Sequence, residues 1–248
     1  MQKTQLEICA ADLDSVISAA AAGAPRVELC SALAEGGVTP SAGLIAAALA
    51  VPSLTVHVLI RPRGGDFVYS EGEIAVMEDD IRRCASMGVH GVVIGALRPD
   101  GTVDAEACRR LVSAAGTMNV TFHRAFDMVR DPLASLETVI SLGCSRILTS
   151  GCAPTATEGA PMLRALREHA RGRIIILAGG GVDPSNAVAL ISSGAADELH
   201  ASAKELIPSA MTFRNDSVKM GKKDADEYMR PTSSRQIISQ IIKVINNI

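Results

Sequence analysis

The chain has 248 residues, 48% of them apolar, with 24 Lys and Arg against 27 Asp and Glu for a formal charge of −3. That balance excludes the basic footprint of a nucleic-acid binder, and no Trp, two Tyr and four Phe leave little for base stacking. No run is long enough to span a bilayer, and the opening MQKTQLEICA lacks the apolar stretch of a signal peptide. Six cysteines without framework spacing suit a reducing compartment, so a cytoplasmic protein with no membrane partner is expected.

In chain order, short apolar runs at 6–9, 26–30, 55–60, 91–94, 120–123, 146–149, 173–178 and 198–201 predict eight strands. Amphipathic helices separate them. Thr39-Pro40, Asp131-Pro132 and Asp183-Pro184 each pair an N-cap residue with proline at the first helical position. Ser70 and Glu73 have capping-box spacing. Gly23, Gly88, Gly116, Gly143, Gly172 and Gly194 fall where helices stop. Strand, helix, glycine, strand is the pattern of a parallel sheet, and about 250 residues is the usual length of one closed α/β barrel. The expectation is a single domain over 1–248, a TIM-like (β/α)8 barrel. Residues 203–230 read as a long irregular segment, and 232–247 as a closing helix capped by Thr232 or Ser233. Ile237, Ile238, Ile241, Ile242 and Ile245 form one face of that helix.

Side chains alternate along a strand, so each strand can be sorted by face. With Leu6 and Ile8 against the helices, Glu7 and Cys9 turn into the barrel. The same logic turns Glu28, Cys30, His57, Leu59, Arg61, Thr121, His123, Glu198, His200 and Ser202 inward. Barrel interiors are normally aliphatic, and buried charges without partners cost several kcal/mol each. These groups therefore need one another, an ion or a ligand. One reading is a self-satisfied network of Glu7 and Glu28 with Arg61 that serves the fold alone. Another is a functional site at the strand ends.

Three loops there suit an anion. Gly179, Gly180 and Gly181 follow the seventh strand, where close backbone approach and the next helix N-terminus favour phosphate. Arg61 and Arg63 flank a Gly-Gly turn, and Arg124 with Asp127 follows His123. Together with His200 and Ser202 these form a candidate anion ring. In an enzyme acting on a small phosphorylated or carboxylated metabolite, Glu7, Glu28 or His123 would do the acid–base work. Cys9 and Cys30 pose a different possibility. Both end neighbouring strands about 4.8 Å apart, so the thiols can reach a common soft ion, or serve simply as small buried apolar groups.

The stretches ELCSALAEGGVTPS, IRPRGGDFVYS, VTFHRAFD, RILTSG and AGGGV, with FRN and VKMG in the tail, together resemble the CutC copper homeostasis family. The resemblance covers nearly the whole chain. It implies a TIM-barrel-like fold, a cytoplasmic location, a role in copper homeostasis and homo-oligomers. It also implies that Cys9 and Cys30 are the ligands of copper, as Cu(I). It gives no role to the polar ring.

Overall fold

A computed structural model describes residues 5–218, 220 and 226–247. Eight parallel strands form a closed barrel in sequence order, β1 Leu6–Ala10, β2 Arg26–Leu29, β3 Thr55–Leu59, β4 Gly91–Ile94, β5 Asn119–Phe122, β6 Arg146–Thr149, β7 Ile175–Gly179 and β8 Glu198–Ala201. Closure comes from β8 pairing with β1, which sets Glu7 beside His200. The helices are α1 Leu13–Ala22, α2 Ala42–Leu49, α3 Glu71–Ser86, α4 Ala105–Ala115, α5 Pro132–Ser141, α6 Ala160–Ala170, α7 Ala187–Ser192 and α8 Arg235–Ile245. The outward residues Ile8, Val27, Val58, Val92, Phe122, Ile147, Ile176 and Leu199 are fully buried under these helices. In α8, Ile238, Ile241 and Ile245 are buried, each contributing about 1.5–3 kcal/mol of apolar burial.

Local chemistry explains most boundaries. Ser70 and Glu73 form the expected capping box on α3, and Asp131 accepts from Leu133 and Ala134 ahead of Pro132. Several boundaries differ from the sequence reading, three of them for a clear local reason. Ser41, not Thr39, caps α2, because Thr39 pairs with the Arg61 backbone instead. The Asp183-Pro184 pair opens a turn, with Asp183 accepting from Ser185 and Asn186, and α7 starts only at Ala187. Arg173 stays outside β7 because its guanidinium binds the end of α6 and Glu137.

The segment after β8 is less irregular than expected. β9 Lys204–Pro208 and β10 Met229–Ser233 pair as an antiparallel ribbon, so 229–233 is strand and α8 begins after Ser234. Within the expected 203–230 segment, Lys219 and residues 221–225 lie outside the described residues, which takes in two residues of the VKMG motif. The ribbon and its loop carry Leu206, Met211, Phe213 and Met220 exposed to solvent.

Candidate functional site: a cavity at the barrel mouth

The barrel interior is built in two tiers. In the lower tier, Arg26 at the start of β2 donates through Nε to Glu7 Oε2 at 2.5 Å and through Nη2 to Glu198. Arg146 of β6 donates to the same Glu198 at 3.0 Å, and Glu7 Oε1 lies 2.8 Å from His200 Nδ1. Glu7, Arg26 and Glu198 are buried, so this is a charge-paired network in a dry interior, where each charge depends on the others. Burial alone would raise the Glu7 carboxyl, but the His200 hydrogen bond and the Arg26 charge outweigh it and hold Glu7 well below the usual carboxylate range. Burial also opposes charging of His200, yet its contacts to Cys9 and Glu7 push its pKa well above the ordinary value. His57 is held neutral, its pKa lowered to about 4 by burial.

The upper tier is less settled. Cys9 Sγ and Cys30 Sγ lie 3.8 Å apart, packed with Leu59 and Val93. Cys9, Glu28 and His200 each bring a ligand atom within 4.8 Å of the other two. The Cys9 thiol is pushed well up by its contact to Cys30 and by burial. Glu28 is buried with Oε2 unpartnered, and burial raises its pKa to about 7. Above these groups opens a cavity of about 230 Å³. Cys9, Glu28 and His200 face it from below; Arg61, His123 and Arg124 face it from the mouth.

Room for the imidazoles comes from glycines on neighbouring strands. A Cβ on Gly91 would lie 2.6 Å from the His57 ring, and one on Gly95 would lie 2.5 Å from His123. Only glycine permits those approaches.

The expected anion ring is redistributed. Arg61 lies at the cavity wall, but Nη1 donates to the carbonyls of Glu35 and Gly37 at 2.8 and 2.7 Å, and Nη2 to that of Gly65 at 2.7 Å. It clamps the loops after β2 and β3, and it is not the partner of Glu7 and Glu28 proposed for a self-satisfied network; Arg26 takes that place for Glu7 alone, and Glu28 Oε2 is left unpartnered among the described residues. Arg63 is outside the cavity lining, paired with Glu73 at 2.6 Å and with Asp66. Asp127 accepts from Thr149 Oγ1 at 2.5 Å, from the Ser150 and Cys152 amides, and from Arg124. A carboxylate so engaged shapes the loop after β6 and would repel an anion. Gly179 is the last residue of β7, and its inward side abuts Leu148 and His200. Gly180, Gly181 and Ser202 line the cavity as expected, but α7 has six residues and sits beyond the Asp183 turn, so no helix end faces these glycines. Arg26, Arg146 and the Gly91 and Gly95 cradles were missed from the sequence. Arg26 shares the parity of Glu28 and Cys30, and that signal could have found it.

The donor set at and behind the cavity floor fits a soft ion. Cys9 lines the cavity, Cys30 is buried 3.8 Å from it and His200 adjoins Cys9; as thiolates and an imidazole, such ligands would select Cu(I) or Zn(II) over hard cations. Among the described residues no helix is long and apolar enough to cross a membrane.

A sequence profile of the CutC family matches residues 4–205. A CutC family protein of Chromobacterium violaceum is 49% identical over 233 residues, 94% of each chain. The human protein named copper homeostasis protein cutC homolog is 47% identical over 216 residues, 87% of this chain and 79% of its own. The crystal structure of CutC from Streptococcus agalactiae superposes with a TM-score of 0.77 at 35% identity, covering 80% of this chain and 98% of that one. Thiamine phosphate pyrophosphorylase from Pyrococcus furiosus, at 15% identity and a TM-score of 0.59 over 98% of this chain and 96% of its own, shares the fold alone. By the profile match and these identities, the chain belongs to the CutC family.

Proposed function

We propose that this protein serves copper homeostasis in the cytoplasm by binding copper as Cu(I) through Cys9, at the floor of the barrel-mouth cavity, and Cys30, buried beside it. The observation that carries the reading is the 3.8 Å approach of the two Sγ atoms on adjacent strands. A short shift of either side chain brings both sulfurs onto one ion. His200 beside Cys9 offers a third, imidazole ligand suited to copper. The copper homeostasis name of the human relative supports the same reading. Self-association belongs to this proposal as well, because Leu206, Met211, Phe213 and Met220 stand exposed on and beyond the β9–β10 ribbon. The test is an anaerobic Cu(I) titration against a competing chelator. Native protein should bind about one ion per chain, and Cys9→Ser and Cys30→Ser should each weaken binding at least tenfold. Binding unchanged in both variants would overturn the thiol site.

One observation favours a second reading, an enzyme that acts by acid–base chemistry on a small anionic metabolite. Glu28 is poised with a pKa of about 7 and an unpartnered oxygen at the cavity wall, where a general base works best. The assay for it is substrate turnover by native protein and by Glu28→Gln.

A further inference from the structure

Copper accounts for the cavity floor and leaves its upper wall unused. His123 is 4% exposed, and the Ala125 backbone N–H donates to its Nδ1 at 3.1 Å. That bond fixes the tautomer, placing the ring proton on Nε2. Nε2 is buried and has no partner. Burial and the nearby Arg61 charge lower the ring's pKa to about 3, so His123 is a neutral donor throughout the physiological range. A buried donor left unmade costs about 1–3 kcal/mol, which a ligand acceptor would recover.

Arg124, the next residue, also lines the cavity. Its Nε is held by Asp127 at 2.7 Å and its Nη2 by Ser150 at 3.0 Å, which fixes the guanidinium beside the mouth. Gly180 approaches it so closely that a Cβ there would stand 3.6 Å from the Arg124 guanidinium carbon. Across the cavity, Glu28 lines the floor, and its Oε2 is buried without a partner among the described residues. Leu59, Phe67, Leu148 and Val182 supply apolar wall between the two poles. The cavity of about 230 Å³ has room for a small organic molecule.

We infer that the cavity binds a small hydroxylated oxyanion, a hydroxycarboxylate or hydroxyalkyl phosphate. Its anionic group accepts from His123 Nε2 and Arg124, and its hydroxyl donates to Glu28. An oxyanion belongs at the His123–Arg124 end because the unpartnered ring N–H and the guanidinium are donors that stand together there. A hydroxyl belongs at the Glu28 end because it would satisfy an oxygen that no described residue reaches. The inference supplies a ligand class to the acid–base reading and rests on that reading only for turnover; binding stands without it.

The experiment uses the metal-free full chain, so its outcome is separate from copper binding, and it reads binding, so it is separate from turnover. Ligand-observed NMR and calorimetry follow glycerate, glycerol 3-phosphate and inorganic phosphate up to about 10 mM. Native protein should bind glycerate or glycerol 3-phosphate saturably and more tightly than inorganic phosphate, and the preferred one identifies carboxylate or phosphate as the source. Arg124→Gln and His123→Phe should each weaken binding about tenfold or more, with thermal melting confirming the fold of each. Either variant alone suffices if the other fails to fold. Arg63→Gln, outside the cavity, should leave binding unchanged. No saturable binding to native protein would overturn the inference. So would binding that survives both cavity variants or falls equally with Arg63→Gln. Equal affinity for inorganic phosphate would overturn the hydroxyl contact to Glu28.

Discussion

Glu7 and Glu28 occupy adjacent strands of one barrel, both buried and both turned inward, yet they carry opposite chemistry. Glu7 is held ionised below the usual range by His200 and Arg26. Glu28 has no such cation on its free oxygen, and burial raises it to about 7. Their difference lies in the register partners on the neighbouring strand, Arg26 beside Glu7 and His57 beside Glu28. The lower tier spends its charges on itself, whereas the upper tier leaves Glu28 and His123 with bonding capacity for something else.

The contrast can be broken most severely at Glu7. Glu7→Gln leaves Arg26 with Glu198 alone, removes the carboxylate facing His200, and should cost about 3–5 kcal/mol in denaturant unfolding. A loss under about 1 kcal/mol would show that the lower tier is not a charge-paired unit. Next comes Glu28, whose effect depends on pH. Its folded pKa of about 7 exceeds the ordinary 4.5, so the stability it contributes is full below pH 4.5 and is lost as pH rises through 7. Glu28→Gln mimics the protonated form. Relative to native protein it should match at pH 4 and gain about 3 kcal/mol by pH 8, at about 1.4 kcal/mol per pKa unit. A native-minus-variant difference that is flat with pH would contradict the raised pKa. Glu7 has the reverse sign: its contribution is present above pH 4.5 and lost as pH falls through its depressed pKa.

Smaller effects sharpen the geometry around the two tiers. Gly95→Ala drives a methyl into the His123 ring and should cost about 1–3 kcal/mol by overpacking. The pairing of Gly95→Ala with a smaller residue at His123 should restore most of the loss in a double-mutant cycle. Far from the site, Asp131→Ala removes two backbone partners at the start of α5 and should lower stability by about 1 kcal/mol without affecting copper binding.

Much of this organisation was legible in the residues. Alternation along short strands turned Glu7, Cys9, Glu28, Cys30, His123, Glu198 and His200 inward, because helix-facing neighbours such as Ile8 and Val27 are unambiguous. Arg26 and Arg146 escaped because a charged residue at a strand's first position reads as its solvent-exposed end; the closed barrel puts it at the bottom of the core. Gly91 and Gly95 escaped for a related reason. A glycine at a strand end looks like punctuation until the ring packed against it is known. Arg61 and Arg63 share one motif, IRPRGGD, but only three-dimensional closure of the loops distinguishes a clamp on backbone carbonyls from a surface pair with Glu73. The β9–β10 ribbon joins residues more than twenty apart in sequence, across a loop with no periodicity to announce it.

The central claim is that the thiol pair of the upper tier is where copper binds, and X-ray absorption at the copper edge tests it most directly. On protein loaded anaerobically with one equivalent of Cu(I), the account predicts two sulfur neighbours, falling to at most one in Cys30→Ser. A first shell of nitrogen or oxygen alone, or a shell unaltered by that substitution, would contradict it.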